Sequence, residues 1–84
     1  MTDFQAIDTK IRNVLSEHAQ LSVGIQQLGI DDDLTHSGLT SLSSVNVMLA
    51  LESLFDIEFP DHMLNKKVFS SIGTIRAAIV ELTA

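Results

Sequence analysis

The sequence predicts an all-α fold: a small four-helix bundle, three longer helices plus one short, with a long loop between helices one and two. Three observations predict it. One proline, four glycines and no tryptophan or tyrosine disfavour a turn-rich sandwich or barrel. Apolar residues recur at helical spacing in three stretches of the chain. The 84 residues, 45% of them hydrophobic, suffice for one small core, so residues 1–84 read as a single domain.

The first helix falls between Asp3 and Ala19. Phe4, Ile7, Ile11, Val14 and Leu15 form its apolar stripe, with His18 next on the same face. Asp3 or Thr2 can cap the first turn, and Asp8 sits early, as the helix dipole prefers.

From Gln20 to Thr40 regularity stops. Gly24, Gly29 and Gly38 punctuate the segment, and Val23, Ile25, Leu28, Ile30 and Leu34 are irregularly spaced. A loop of this length is unusual in a small domain and is often functional; its scattered aliphatics imply that it is pinned to the core. Asp31, Asp32 and Asp33 invite a calcium reading. An EF-hand loop needs acids at alternate positions, a glycine sixth and a glutamate twelfth, where this chain has His36 and Leu42. A solvated acidic turn is the reading that remains.

The longest apolar helix runs from Ser41 to Phe55. Winding it at about 100° per residue places Val47, Met48, Ala50, Leu51, Leu54 and Phe55 on one broad side, interrupted by Ser43 and Ser44. The opposite sector holds Leu42, Val45, Asn46, Leu49, Glu52 and Ser53, with Ser41 at its edge. If the broad side is core, Leu42, Val45 and Leu49 form an exposed apolar strip of the kind that docks partners. The alternative is that other parts of the fold cover them.

Pro60 ends this stretch and pushes Phe59 towards an extended backbone. A short helical turn follows, over Asp61–Leu64 or Asn65–Phe69. The last helix starts at Ser70 or Ser71 as N-cap and carries Ile72, Ile75, Ile79 and Leu82 on one stripe.

Composition excludes several functions. Eleven acids against five bases give a net charge of −6, which argues against a nucleic-acid binder. No apolar run is long enough to span a membrane, and Met1-Thr2-Asp3 has no basic start of a secretory signal. The absence of cysteine removes disulfides, thiolate metal sites and a cysteine nucleophile, and fits a cytoplasmic location. His18, His36 and His62 share no short metal-ligand spacing. No Gly-rich phosphate loop, G-x-S-x-G elbow or H-E-x-x-H is present. An enzyme is not expected.

One serine stands out by position. A glycine-containing loop, Leu34 to Thr40, delivers Ser41 to the start of the longest helix, where the positive end of the dipole favours an attached phosphate. The plainer reading is that Ser41 or Thr40 is simply the N-cap, since the chain has nine serines.

A wider pattern bears on that choice. Gly38-Leu39-Thr40-Ser41-Leu42, then Val45, Met48-Leu49-Ala50-Leu51-Glu52, Phe55-Asp56-Ile57-Glu58-Phe59-Pro60-Asp61 and Ser71-Ile72 resemble the carrier-protein family of acyl, aminoacyl and peptidyl carriers. The family pattern is G-x-D-S-L, a helix ending in A-L-E, an F-D-x-x-I/F-P-D/E exit and S-I/V opening the last helix. The resemblance covers essentially the whole chain from helix one onward. It implies that Ser41 receives 4′-phosphopantetheine from coenzyme A through a separate phosphopantetheinyl transferase. The arm then holds an acyl or aminoacyl group as a thioester, so that a cysteine-free chain does thiol chemistry with a borrowed sulfur. Implied partners are an acyl- or aminoacyl-loading ligase and downstream transferases, met through Thr40, Leu42, Val45, Asn46, Leu49 and Glu52; a monomer is the default for a handle this small, with oligomeric state left open by the sequence. The sequence departs from the family in two places. Thr40 stands where aspartate is usual, and Ser43, Asn46 and Ser53 leave Glu52 as the one acid on a helix that fatty-acid carriers line with several. Docking should then be more apolar than charge-steered, as in a specialised carrier of a polyketide-type or unusual fatty acyl group or of an amino acid. Lys66 and Lys67 add a basic pair near the third helix. The alternative is an unmodified helical interaction module that keeps the carrier fold.

Overall fold

The computed structural model describes residues 3–19, 21 and 24–83. Its three α-helices are α1 (Phe4–His18), α2 (Ser41–Phe55) and α3 (Ile72–Thr83), with 3-10 turns at Ile25–Gln27 and Asp61–Met63. The expected all-α fold is therefore present, but the fourth, short helix is a single 3-10 turn. Met1, Thr2, Gln20 and Val23, named above, lie outside the described residues.

Asp3 caps α1 by accepting the Ala6 N–H at 3.1 Å. The middle of the expected stripe, Ile11, Val14 and Leu15, is buried where α1 packs against both other helices. The ends of the stripe escape: Phe4 is 49% exposed, and the His18 side chain is 41% exposed. Asp8 lies beyond the first turn, and its carboxylate pairs with Arg76 of α3 at 3.0 Å instead of serving the helix dipole.

α2 buries only Val47 and Leu51; Met48, Ala50 and Phe55 are half-buried against the core. Leu54, placed above on the core side, is 48% exposed. Apolar residues lie on both flanks of the helix, mixed with Ser43, Ser44, Asn46, Glu52 and Ser53, so sequence pattern could not decide which flank its neighbours would cover. Asp56 ends α2 in the left-handed conformation (φ 54°, ψ 52°), which a short polar side chain tolerates.

α3 opens on a reciprocal cap. Ser71 Oγ accepts the Thr74 N–H at 3.1 Å, while Thr74 Oγ1 accepts the Ser71 N–H at 3.0 Å. Ile72, Ile75, Ala78 and Ile79 are buried, and Leu82 packs at the rim of the core.

The long first connection is pinned, as its aliphatics implied: Leu28, Leu34 and Leu39 are buried. Arg12 of α1 holds it by donating from Nη1 to the Ile25 and Leu28 carbonyls at 2.8 and 2.6 Å. At the far side the Leu34 N–H donates to Ser70 O at 2.7 Å and the Gly73 N–H to Ile30 O at 2.8 Å. A Cβ at Gly73 would sit 3.2 Å from that same carbonyl, which is why the loop can lie so close to α3. The three aspartates are exposed, and two of them shape turns. Asp32 accepts the Gly29 N–H, and Asp33 accepts the N–H groups of Thr35 and His36. Among the described residues no group of acidic and histidine side chains is arranged to hold a metal, and no helix is long and apolar enough to cross a membrane.

Between Pro60 and Ser71 the chain forms the 3-10 turn and then a further turn over residues 66–69. Asn65 organises it, donating to His62 O at 2.9 Å and accepting the Val68 N–H at 3.0 Å. Phe59 and Phe69 close this end of the core with an edge-on ring contact at 5.6 Å between centroids.

Candidate functional site

The start of α2 is built by the loop that precedes it. Leu34 and Leu39 are buried anchors, and the turn between them is closed by Leu39 N–H to Leu34 O at 2.9 Å. Gly38 turns the chain with φ 120°, a conformation that L side chains rarely adopt. Thr40 is then the N-cap. Its Oγ1 accepts the Ser43 N–H at 3.1 Å and donates to Ser43 Oγ at 3.0 Å. Ser44 Oγ donates back to Thr40 O at 2.8 Å.

These bonds separate the three serines at the helix start. Ser43 and Ser44 are half-buried and bonded to the cap. Ser41, the first helical residue, is exposed, and its hydroxyl has no hydrogen-bond partner among the described residues. The capping role considered for Ser41 or Thr40 thus falls to Thr40 alone. The first turn of α2 carries no acid, so the positive end of its dipole is uncompensated at Ser41.

Beside Ser41 lies a cleft of about 290 Å³ between α2 and the segment before α3. Val45, Met48, Leu64 and Phe69 give it an apolar lining, and Ser41, Ser44, Asn65 and Lys66 supply its polar groups. The residues fit a long, flexible arm attached at Ser41: a free nucleophilic oxygen at a helix N-terminus, next to a trough that could shelter an apolar chain.

Along the outer face of α2, Leu42 is 75% exposed, Val45 47% and Leu49 53%. The described parts of the fold leave this strip uncovered. Thr40 and Asn46 are exposed beside it. Glu52 is placed differently: it is half-buried, and its Oε2 accepts the Phe59 N–H at 2.8 Å, so that oxygen is held by the exit loop. Leu64, 45% exposed on the other wall of the cleft, was not singled out above. It lies past Pro60 in an aperiodic stretch, where spacing carries no signal.

A family model described as "Phosphopantetheine attachment site" matches residues 9–79. The chain is similar to an aminoacyl carrier protein of Agrobacterium fabrum, 40% identical over 73 residues that span 87% of this chain and 88% of that one. It is also similar to an acyl carrier protein of Cyanidioschyzon merolae, 39% identical over 80 residues, 94% of this chain and 79% of that one. Its fold matches a chain in the crystal structure of an engineered Bradyrhizobium japonicum glycine:carrier protein ligase complexed with carrier protein from Agrobacterium tumefaciens and ATP. That match has a TM-score of 0.87 and 38% identity, covering 90% of this chain and 99% of that one. The corresponding complex with AMP gives 0.84 and 41%, covering 89% and 99%.

Proposed function

The chain belongs to the phosphopantetheine-attachment family, the carrier proteins, and from that premise we propose that Ser41 bears the arm and that the cargo is an aminoacyl group. A carrier is not an enzyme; it holds an acyl or aminoacyl group as a thioester and presents it to the enzymes that act on it. The cofactor, 4′-phosphopantetheine, supplies the thiol that this cysteine-free chain lacks.

The observation that carries the assignment is the free hydroxyl of Ser41, exposed at the first residue of α2 while Ser43 and Ser44 are bound to the cap. Thr40 satisfies the helix end without it, so modification of Ser41 disturbs no side-chain hydrogen bond among the described residues. The helix dipole favours the added negative charge. The protein's own contribution is then positional. It fixes the attachment oxygen on a rigid helix and keeps the adjoining strip of Leu42, Val45, Asn46 and Leu49 open to a docked partner. Tethering raises the local concentration of cargo at that partner's active site.

The aminoacyl cargo is supported by the similarity to an aminoacyl carrier protein and to a carrier protein complexed with an engineered glycine:carrier protein ligase. A ligase that activates an amino acid is accordingly the loading partner, and a phosphopantetheinyl transferase working from coenzyme A installs the arm. The carrier acts as a cytoplasmic monomer, its docking strip serving each partner in turn.

The test is intact mass after incubation with coenzyme A and a broad-range transferase. We expect a gain of one phosphopantetheine in the native chain and none in Ser41→Ala. A gain that persists in Ser41→Ala, or no gain with several transferases, overturns the assignment.

A further inference from the structure

The five basic side chains of this acidic protein have different fates. Arg12 is spent on the Ile25 and Leu28 carbonyls. Arg76 pairs with Asp8 and lies over the Phe4 ring at 4.8 Å. Lys10 sits over the Phe55 ring at 5.5 Å. Lys66 and Lys67 are exposed, with no side-chain partner among the described residues. Of these two, only Lys66 lines the cleft that Ser41 lines, and no acidic residue shares that lining. The backbone on either side of Lys66 is held by the two Asn65 hydrogen bonds, to His62 O and from the Val68 N–H.

We propose that Lys66 is a positioning residue for the cofactor: its ammonium group pairs with the phosphodiester on Ser41 and turns the arm into the cleft. The proposal rests on Ser41 being the attachment residue. A phosphodiester at that oxygen adds a negative charge at the mouth of a trough whose one cationic lining residue is Lys66. The flexible four-carbon stem of lysine lets its charge follow the phosphate, and the point charge needs no fixed angle of approach. With the phosphate drawn to that wall, the pantetheine chain is directed over Val45, Met48, Leu64 and Phe69, and the uncharged part of the arm covers apolar surface. The pair is solvent-exposed, so the bias is modest. Ion pairs of this kind change a two-state balance by about two- to five-fold, enough to favour a sheltered arm that a docking enzyme can still draw out.

The experiment uses full-length holo protein whose loading is verified by intact mass, in the native chain and in Lys66→Gln, Lys66→Arg and Lys67→Gln. The readouts are the phosphorus NMR shift of the phosphodiester and the nitrogen-15 relaxation of the pantetheine amides. In the native chain we expect a phosphorus shift displaced from its position in urea-unfolded holo protein, with slowed amide motion. Lys66→Gln and added salt should both move the signal towards the unfolded position; Lys66→Arg should hold it, and Lys67→Gln should leave it unchanged. An unmoved signal in Lys66→Gln, or an equal movement in Lys67→Gln, overturns the proposal while leaving Ser41 as the attachment site. Failure of every chain to gain mass overturns the Ser41 assignment instead, before any phosphorus signal is read.

Discussion

Glu52 and Phe59 tie the exit of α2 back onto the helix: Glu52 Oε2 accepts the Phe59 N–H at 2.8 Å, across seven residues. Phe59 is 4% exposed and packs edge-on against Phe69. The carboxylate therefore satisfies a backbone donor that Pro60 and the left-handed Asp56 leave without a helical partner. Glu52→Ala should lower stability by about 1–2 kcal/mol, the cost of a partly buried donor losing its acceptor. Glu52→Gln, which keeps an acceptor oxygen, should lose less. Urea unfolding checks both. A docking role for Glu52 instead of a structural one would appear as weaker ligase binding with an unchanged unfolding midpoint.

Leu49 and Leu54 form a matched pair for testing the docking strip. They are 53% and 48% exposed on different flanks of α2. Leu49 lies on the strip with Leu42 and Val45, whereas Leu54 opens onto a groove against α1 lined by Lys10, Asn13, Glu17 and His18. Leu49→Glu should weaken binding of the loading ligase by at least about 1 kcal/mol, a modest hot spot. Its folding stability should move by no more than about 0.5 kcal/mol. Leu54→Glu should leave ligase affinity unchanged. Titration calorimetry with the two variants decides it: equal losses would mean that the docking surface is not the strip.

What was legible in the sequence follows from which forces are local. The helix starts were readable because capping is decided within a few residues: Asp3 caps α1, Thr40 caps α2 and Ser71 caps α3, each at a position considered from sequence. The apolar stripe of α3 was readable too, because its isoleucines face one way. Leu54 and Phe4 were misplaced because burial depends on which neighbour arrives, and periodicity does not record that. The order in the long loop was half legible. Its aliphatics implied anchoring, but the anchors are Arg12, Ser70 and Gly73, remote contacts that no local pattern encodes. At the candidate site, Ser41 and the strip came from position and motif. Leu64 and the cleft wall came only with the structure, because the segment after Pro60 is irregular.

Thr40 stands where the family pattern has aspartate, and its geometry explains why the fold tolerates the change. Its hydroxyl does what a carboxylate oxygen would do, accepting the Ser43 N–H at 3.1 Å. Thr40→Ala should cost about 1 kcal/mol through the lost cap. Thr40→Asp keeps an acceptor and adds a negative charge to a first turn that has none, which should raise stability by about 0.3–1 kcal/mol at low salt. Thermal unfolding at low and high salt checks the sign, because the gain from aspartate should shrink as salt screens the dipole. An aspartate variant less stable than wild type would mean that the threonine methyl, not its oxygen, matters at this position.

Asp8 and Arg76 link α1 to α3 across 68 residues of sequence, at 3.0 Å, with side chains 16% and 24% exposed. The second carboxylate oxygen, Asp8 Oδ1, is buried without a hydrogen-bond partner among the described residues. Arg76 is thus the group that compensates a charge already short of partners. Removing it should be costly: Arg76→Leu should lower stability by about 2–3 kcal/mol, somewhat below the loss seen when a fully buried pair is broken. Part of that loss is the contact of the guanidinium with the Phe4 ring. Asp8→Leu combined with Arg76→Leu should recover at least half of it, because no unpaired charge then remains and both leucines extend the apolar seam between the helices. Urea unfolding of the two single variants and the double variant closes the cycle. If the single losses simply add in the double variant, Asp8 and Arg76 are not energetically coupled, and the seam between α1 and α3 is held by Ile11, Leu15, Ile75 and Ile79 without help from the pair.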